Sequence, residues 1–200
     1  MPEFKAPFEA EIIHELPDEL AALVGRVIAS FAKLEHKLLM LTSLLLQLNK
    51  AETRITLRAP RAVDRLDMAL DMFAIKDIQV QTDTSKLRGL VTKAASDRDV
   101  VGHGLWLKHP ESDELYLRLT RGAWPKEMTG GERVSRTIYP QSIPYGPDDC
   151  RKVLASIEET LRLVDDLGAE IDTALHTYPE RFRQPAPLLN PLGSRNPKGT

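Results

Sequence analysis

Cysteine is almost absent from this 200-residue chain: Cys150 stands alone. That excludes an internal disulfide framework and any zinc site built on several thiolates, and it fits a reducing, cytoplasmic setting. An excess of one charge sign is missing as well. Twenty-seven Lys and Arg stand against 29 Asp and Glu, a formal net charge of -2, so no overall field draws the chain to nucleic acid or to an anionic membrane. Such a partner has to be argued from a local patch. Long apolar runs are lacking too. The run from Leu38 to Leu48 is interrupted by Thr42, Ser43 and Gln47 and falls far short of the roughly 20 residues that span a bilayer, so no membrane partner is expected. The first residues show neither the basic nor the apolar region of a secretory signal. No internal repeat is visible.

What is present is the composition of an ordinary globular domain, 42% hydrophobic and 28% charged, with room for a real core. Its strongest pattern is Leu20, Val24, Val27, Phe31, Leu34, Leu38, Leu41, Leu45 and Leu48, where spacings of four and three alternate as in a helical seam. Leu23, Ile28, Leu39, Met40, Leu44 and Leu46 widen the stripe, which predicts a helix covered on more than one side inside a bundle, with Asn49-Lys50 as its stop. A second helix is expected from about Pro60 to Phe73, and a third after Gln81-Thr82-Asp83, carrying Leu87, Val91 and Ala94. After Gly104 the period shortens. Leu105 and Leu107, then Leu115, Leu117 and Leu119, alternate with other residues across a turn-rich segment, predicting a β-hairpin over 105–121.

Residues 122–146 read as an irregular insertion with at most one short strand near 134–139. A last helix from Pro147, with Val153, Ile157, Leu161, Val164, Leu167, Ile171 and Leu175 on one face, should pack along the first. The sequence thus divides into an N-terminal extension (1–17), one helical domain (18–178) and a mobile C-terminal tail (179–200). The fold class is all-α, a bundle of four to five helices with a small β-hairpin insertion after the third major helix.

In the third helix the row Leu87, Val91, Ala94 continues at Arg98, a charged head on an apolar stripe just before Gly102 and Gly104. Local conflicts of this kind mark functional sites. Around it runs Asp97-Arg98-Asp99-Val100-Val101-Gly102-His103. A guanidinium grips phosphate oxygens with a planar fork of donors, and an imidazole exchanges a proton near neutral pH. Together they suit phosphodiester cleavage, in which imidazole serves the 2′-hydroxyl or the leaving oxygen and guanidinium offsets charge on phosphorus. On a straight helix, residues five apart lie about 140° apart. Arg98 and His103 can therefore cooperate only if the helix ends or bulges at Gly102, or if two subunits build one site.

This arrangement, Arg98 followed by a polar residue and then by His103 at the end of an amphipathic helix, resembles the HEPN family (higher eukaryote and prokaryote nucleotide-binding domains). The resemblance covers roughly residues 18–178, including the long first helix with Phe31, Leu34 and Glu35. The residue after the Arg is most often Asn in the family; here it is Asp99. The resemblance implies an all-α bundle and a homodimer whose paired Arg and His line one cleft. It also implies a metal-independent endoribonuclease needing no cofactor, of a kind found among toxins and defence effectors with a cognate antitoxin or regulatory protein. Arg98 and His103 would be catalytic, with Asp99 and Glu35 in support. It does not explain the insertion over 105–146.

The competing reading is a non-catalytic HEPN-like module for dimerisation or for binding a nucleotide or partner, with Arg98 paired to Asp97 or Asp99 and His103 satisfying a helix terminus. Arg54, Arg58, Arg61 and Arg65 recur at four, three and four. They are candidates for an RNA-binding stripe, although Pro60 interrupts it and a solvated face accounts for the same pattern. Glu35-His36 has no second His at ligand spacing, so no metal site is expected. Trp106 and Trp124 could each stack on a base or fill the core. Residues 51–109 sum to +2 and 147–178 to -5, so a near-neutral chain still accommodates one weakly basic cleft.

Overall fold

A computed structural model describes residues 11–118 and 142–182. Among them are five α-helices: α1 Asp18–Leu46, α2 Lys50–Thr56, α3 Ala62–Ile75, α4 Thr84–His103 and α5 Pro147–Thr177. Four short strands, β1 Glu11–Ile12, β2 Leu105–Lys108, β3 Leu115–Arg118 and β4 Ser142–Pro144, form one antiparallel sheet in the order β1-β2-β3-β4. The molecule is a mostly helical bundle with a small sheet, and among the described residues no helix is long and apolar enough to cross a membrane.

The seam of α1 is the spine of the core. Leu20, Val27, Phe31, Leu34, Leu38, Leu41 and Leu45 are buried, and Leu23 replaces the half-buried Val24 at its start. The helix stops two residues earlier than its pattern suggests. Gln47 takes a left-handed conformation (φ 56°), while the Leu48 amide donates back to the Ser43 carbonyl at 3.0 Å, so Leu48 lies outside the helix. Asn49 then caps the unanticipated α2: its side chain accepts from the Ala51 and Glu52 amides, and the Glu52 carboxylate accepts from the Asn49 amide.

α3 starts at Ala62 rather than Pro60, because the Asp64 carboxylate accepts the Arg61 amide at 2.9 Å and fixes the first turn there. α1 is covered by α3, α4 and α5, as the width of its stripe predicts, and only part of the stripe's margin stays bare. Ile28, Met40 and Leu44 remain 45%, 55% and 43% exposed.

α5 packs along α1 as expected. Glu19 pairs with Arg151 and Lys37 with Asp165, so the two helices run in the same sense. α4 runs against α5, with Lys86 paired to Glu159 at 2.8 Å and Thr82 donating its amide (3.0 Å) and hydroxyl (2.6 Å) to the Glu170 carboxylate. The hairpin takes the register Leu105↔Arg118 to Lys108↔Leu115. On its inner face the Trp106↔Leu117 pair joins the helical core.

Two expectations at the chain's ends change. Residues 11–12 of the expected extension pair with Leu107 and Lys108 as an edge strand. Pro179–Phe182, expected in the tail, forms a 3-10 turn that buries Phe182 in the core beneath the Lys76 ammonium, 5.2 Å from its ring centroid. The strand expected near 134–139 lies outside the described residues.

Candidate functional site

α4 owes its regularity to caps at both ends. The Asp83 side chain accepts the Lys86 amide at 2.9 Å, and the Gly104 amide donates to the Val100 carbonyl at 3.0 Å. Gly104 is required by close approach: a Cβ there would lie 2.6 Å from the Leu117 side chain and 2.7 Å from the Val100 carbonyl oxygen. The end of α4 is thereby pressed against β3, which fixes where His103 stands. The helix runs through Gly102 without ending or bulging.

Arg98 is seated on α1. Its guanidinium carbon lies 4.8 Å from the centroid of the buried Phe31 ring, a cation–π contact, while Nη1 donates to Asp99 Oδ1 at 2.8 Å. The side chain stays 30% exposed. Asp97 is engaged by Lys93 one turn back. Glu35 is half-buried one turn along α1 from Phe31, which sets it on the stretch of helix that supports Arg98. His103 is exposed at the last position of α4. Five residues of regular helix put it about 140° around from Arg98. One chain therefore brings Arg98, Asp99, Phe31 and the Glu35 turn together and leaves His103 on another face.

The four arginines of the basic stripe part company. Arg54 lies exposed on α2, Arg58 is exposed in the link, and Arg61 is exposed at the start of α3 with Asp64 at 3.3 Å. Arg65 turns inward instead, donating from Nη2 to the Leu57 carbonyl at 3.1 Å and from Nη1 to the Glu35 carbonyl at 3.5 Å. It is a brace between α1, α3 and the link. Trp106 is buried edge-on to Tyr145, with ring centroids 5.7 Å apart; Trp124 lies outside the described residues. Burial pushes the Cys150 thiol up to about 11, which suits packing rather than nucleophilic attack. Among the described residues no group of His, Cys, Asp or Glu gathers as a metal cage.

Phe31 is the site residue that spacing alone does not mark as functional. It reads as one more seam position, and nothing local ties it to an arginine far along the chain. Compared with family models, with curated proteins and with solved structures, the chain matches none.

Proposed function

We propose that this protein is a HEPN-like, metal-independent endoribonuclease of the cytoplasm, acting as a toxin or defence effector and held in check by a cognate antitoxin or regulatory protein. The observation that carries the reading is Arg98. It is a partly exposed guanidinium, resting over the Phe31 ring, on the last turns of a helix that ends in an exposed histidine. The planar N–H fork of a guanidinium suits the oxygens of a phosphodiester.

In the reaction the ribose 2′-oxygen attacks phosphorus and the bond to the 5′-oxygen breaks, leaving a 2′,3′-cyclic phosphate and a 5′-hydroxyl. Imidazole takes the 2′ proton or supplies one to the leaving oxygen, and Arg98 stabilises the charge building on phosphorus. Because Arg98 and His103 of one chain face apart, the active form is a homodimer that pools both pairs in one cleft.

Purified protein is expected to cut single-stranded RNA in EDTA and to leave cyclic phosphate ends. His103→Ala should lower cleavage by at least about a hundredfold with an unchanged melting temperature. Intact RNA at high concentrations of folded wild-type protein sinks the reading. The Arg98–Asp99 ion pair favours a second reading, a non-catalytic module that dimerises or binds a nucleotide or partner. That reading predicts no cleavage, and a lowered melting temperature for the Arg98 and His103 variants.

A further inference from the structure

Arg98 rests over Phe31 on a flank of α1 that its neighbours leave partly bare. Val24, Ile28, Phe31, Glu35 and Thr42 fall within an arc of about 60° of that helix. α3 covers the arc at Thr42, whose hydroxyl donates to the Arg65 carbonyl at 2.9 Å, and meets it again at Glu35 through the Arg65 side chain. Beyond that point Ile28 is 45% exposed. α4 is open on the matching flank. Arg88 pairs with Asp67, so the side of α4 that runs from Arg98 through Gly102 to Arg88 also faces α3. Gly102 is exposed there, about 40° around the helix from Arg98, and a Cβ added to it would meet only the Arg98 Cδ, at 4.0 Å. Both helices therefore leave room beside the guanidinium, over an apolar floor.

Glu35 borders this room. It is half-buried, and helical side chains lean toward the N-terminus, which carries its carboxylate toward Phe31 and Ile28. Among the described residues that carboxylate enters no hydrogen bond or ion pair. The charges around it are engaged elsewhere. Arg65 donates to the Glu35 and Leu57 carbonyls, Arg61 pairs with Asp64, Arg98 with Asp99 and Lys93 with Asp97. Two carboxylate oxygens are thus open to N–H donors from outside.

We propose that this corner is a nucleobase subsite and that it takes guanine. With a phosphate on Arg98, the base of the same nucleotide lies over Ile28 and Gly102 and turns its Watson–Crick edge to Glu35. Apolar side chains carry the faces of unpaired bases, and side-chain hydrogen bonds read their edges. Guanine alone presents two adjacent N–H donors on that edge, from N1 and the 2-amino group, which match the two oxygens of one carboxylate. Adenine and cytosine set an acceptor nitrogen beside the amino group, and uracil flanks its single N–H with two carbonyls, so each of the three brings an acceptor against Glu35. The subsite stands on the geometry of α1 and α4; that it selects the bond to be cut rests on the ribonuclease reading above.

Titration of the full chain with the four nucleoside 3′-monophosphates tests the subsite. Guanosine 3′-monophosphate is expected to bind at least about tenfold more tightly than the other three. Glu35→Gln should lose that preference, with an unchanged melting temperature. Gly102→Leu fills the floor and should weaken all four nucleotides at least about tenfold, again in a folded chain, since the added side chain starts in open space. A wild type that binds no nucleotide or binds the four alike overturns the subsite, as does a guanine preference that survives Glu35→Gln or affinities untouched by Gly102→Leu. RNA assays on the same samples separate the two ideas, because wild type should then cut on the 3′ side of guanosine. A guanine preference that depends on Glu35, with no cleavage by wild type, keeps the subsite and removes the ribonuclease reading, while cleavage after all four bases alike does the reverse.

Discussion

Two partners compete for the charge of Arg98: the ring of Phe31, over which it rests, and the carboxylate of Asp99, which occupies one of its donors. Asp99 is half exposed, and such pairs are worth only about 0.2–1 kcal/mol. On the proposed ribonuclease reading, the ion pair is a brake that a phosphate displaces. Asp99→Asn keeps the shape and removes the charge, and is expected to raise kcat/KM on RNA by up to about fivefold. A fall in cleavage instead would mean that Asp99 positions the guanidinium. The two flanking residues explain why Asp97 is not part of this competition, since Lys93 already holds it.

At the scale of elements, helix ends decide the architecture. α5 begins where Gly146 and Pro147 meet Asp149, whose carboxylate accepts the Gly146 amide at 3.1 Å and the Lys152 ammonium at 2.9 Å. The Lys152 hydrogen bond, with that backbone amide, holds the Asp149 carboxyl below its ordinary value. A carboxyl lowered in the folded state stabilises the fold above the ordinary carboxylate range, and that contribution is lost as pH falls through the folded value. The melting temperature should therefore drop below about pH 4. Asp149→Ala should cost about 0.5–1 kcal/mol at pH 7 and flatten that acid limb, which thermal melts across pH would reveal. The other decisive end is that of α4. Gly104 allows the helix to close directly against Leu117, so the pattern change read after Gly104 coincides with a physical junction of helix and sheet.

At the scale of the molecule, α1 has two sides with different duties. Leu34→Ala, on the fully buried side, is expected to cost about 2–5 kcal/mol. Met40→Ala, on the exposed side, should stay within about 0.5 kcal/mol. Denaturant titrations of both would measure the contrast. The sequence by itself determined the four longer helices, the presence of the hairpin and the position of Arg98, because periodicities of 3.6 and 2 and the capping residues are local properties of the chain, but the register sets Leu105 and Leu107 on the opposite sheet face from Leu115 and Leu117, with Trp106 beside Leu117. It overextended α1 and missed α2, since the left-handed turn at Gln47 that separates them falls on an ordinary residue with no glycine to announce it. Only the tertiary structure decided what each apolar or charged side chain meets: that Arg65 braces carbonyls inside while Arg61 faces water, and that Phe31 seats Arg98. It also decided that Ile28, Met40 and Leu44 of α1 stay exposed while α3, α4 and α5 cover the rest of the stripe. A stripe records which residues avoid water, and the packing of distant segments determines which of them find cover within the chain.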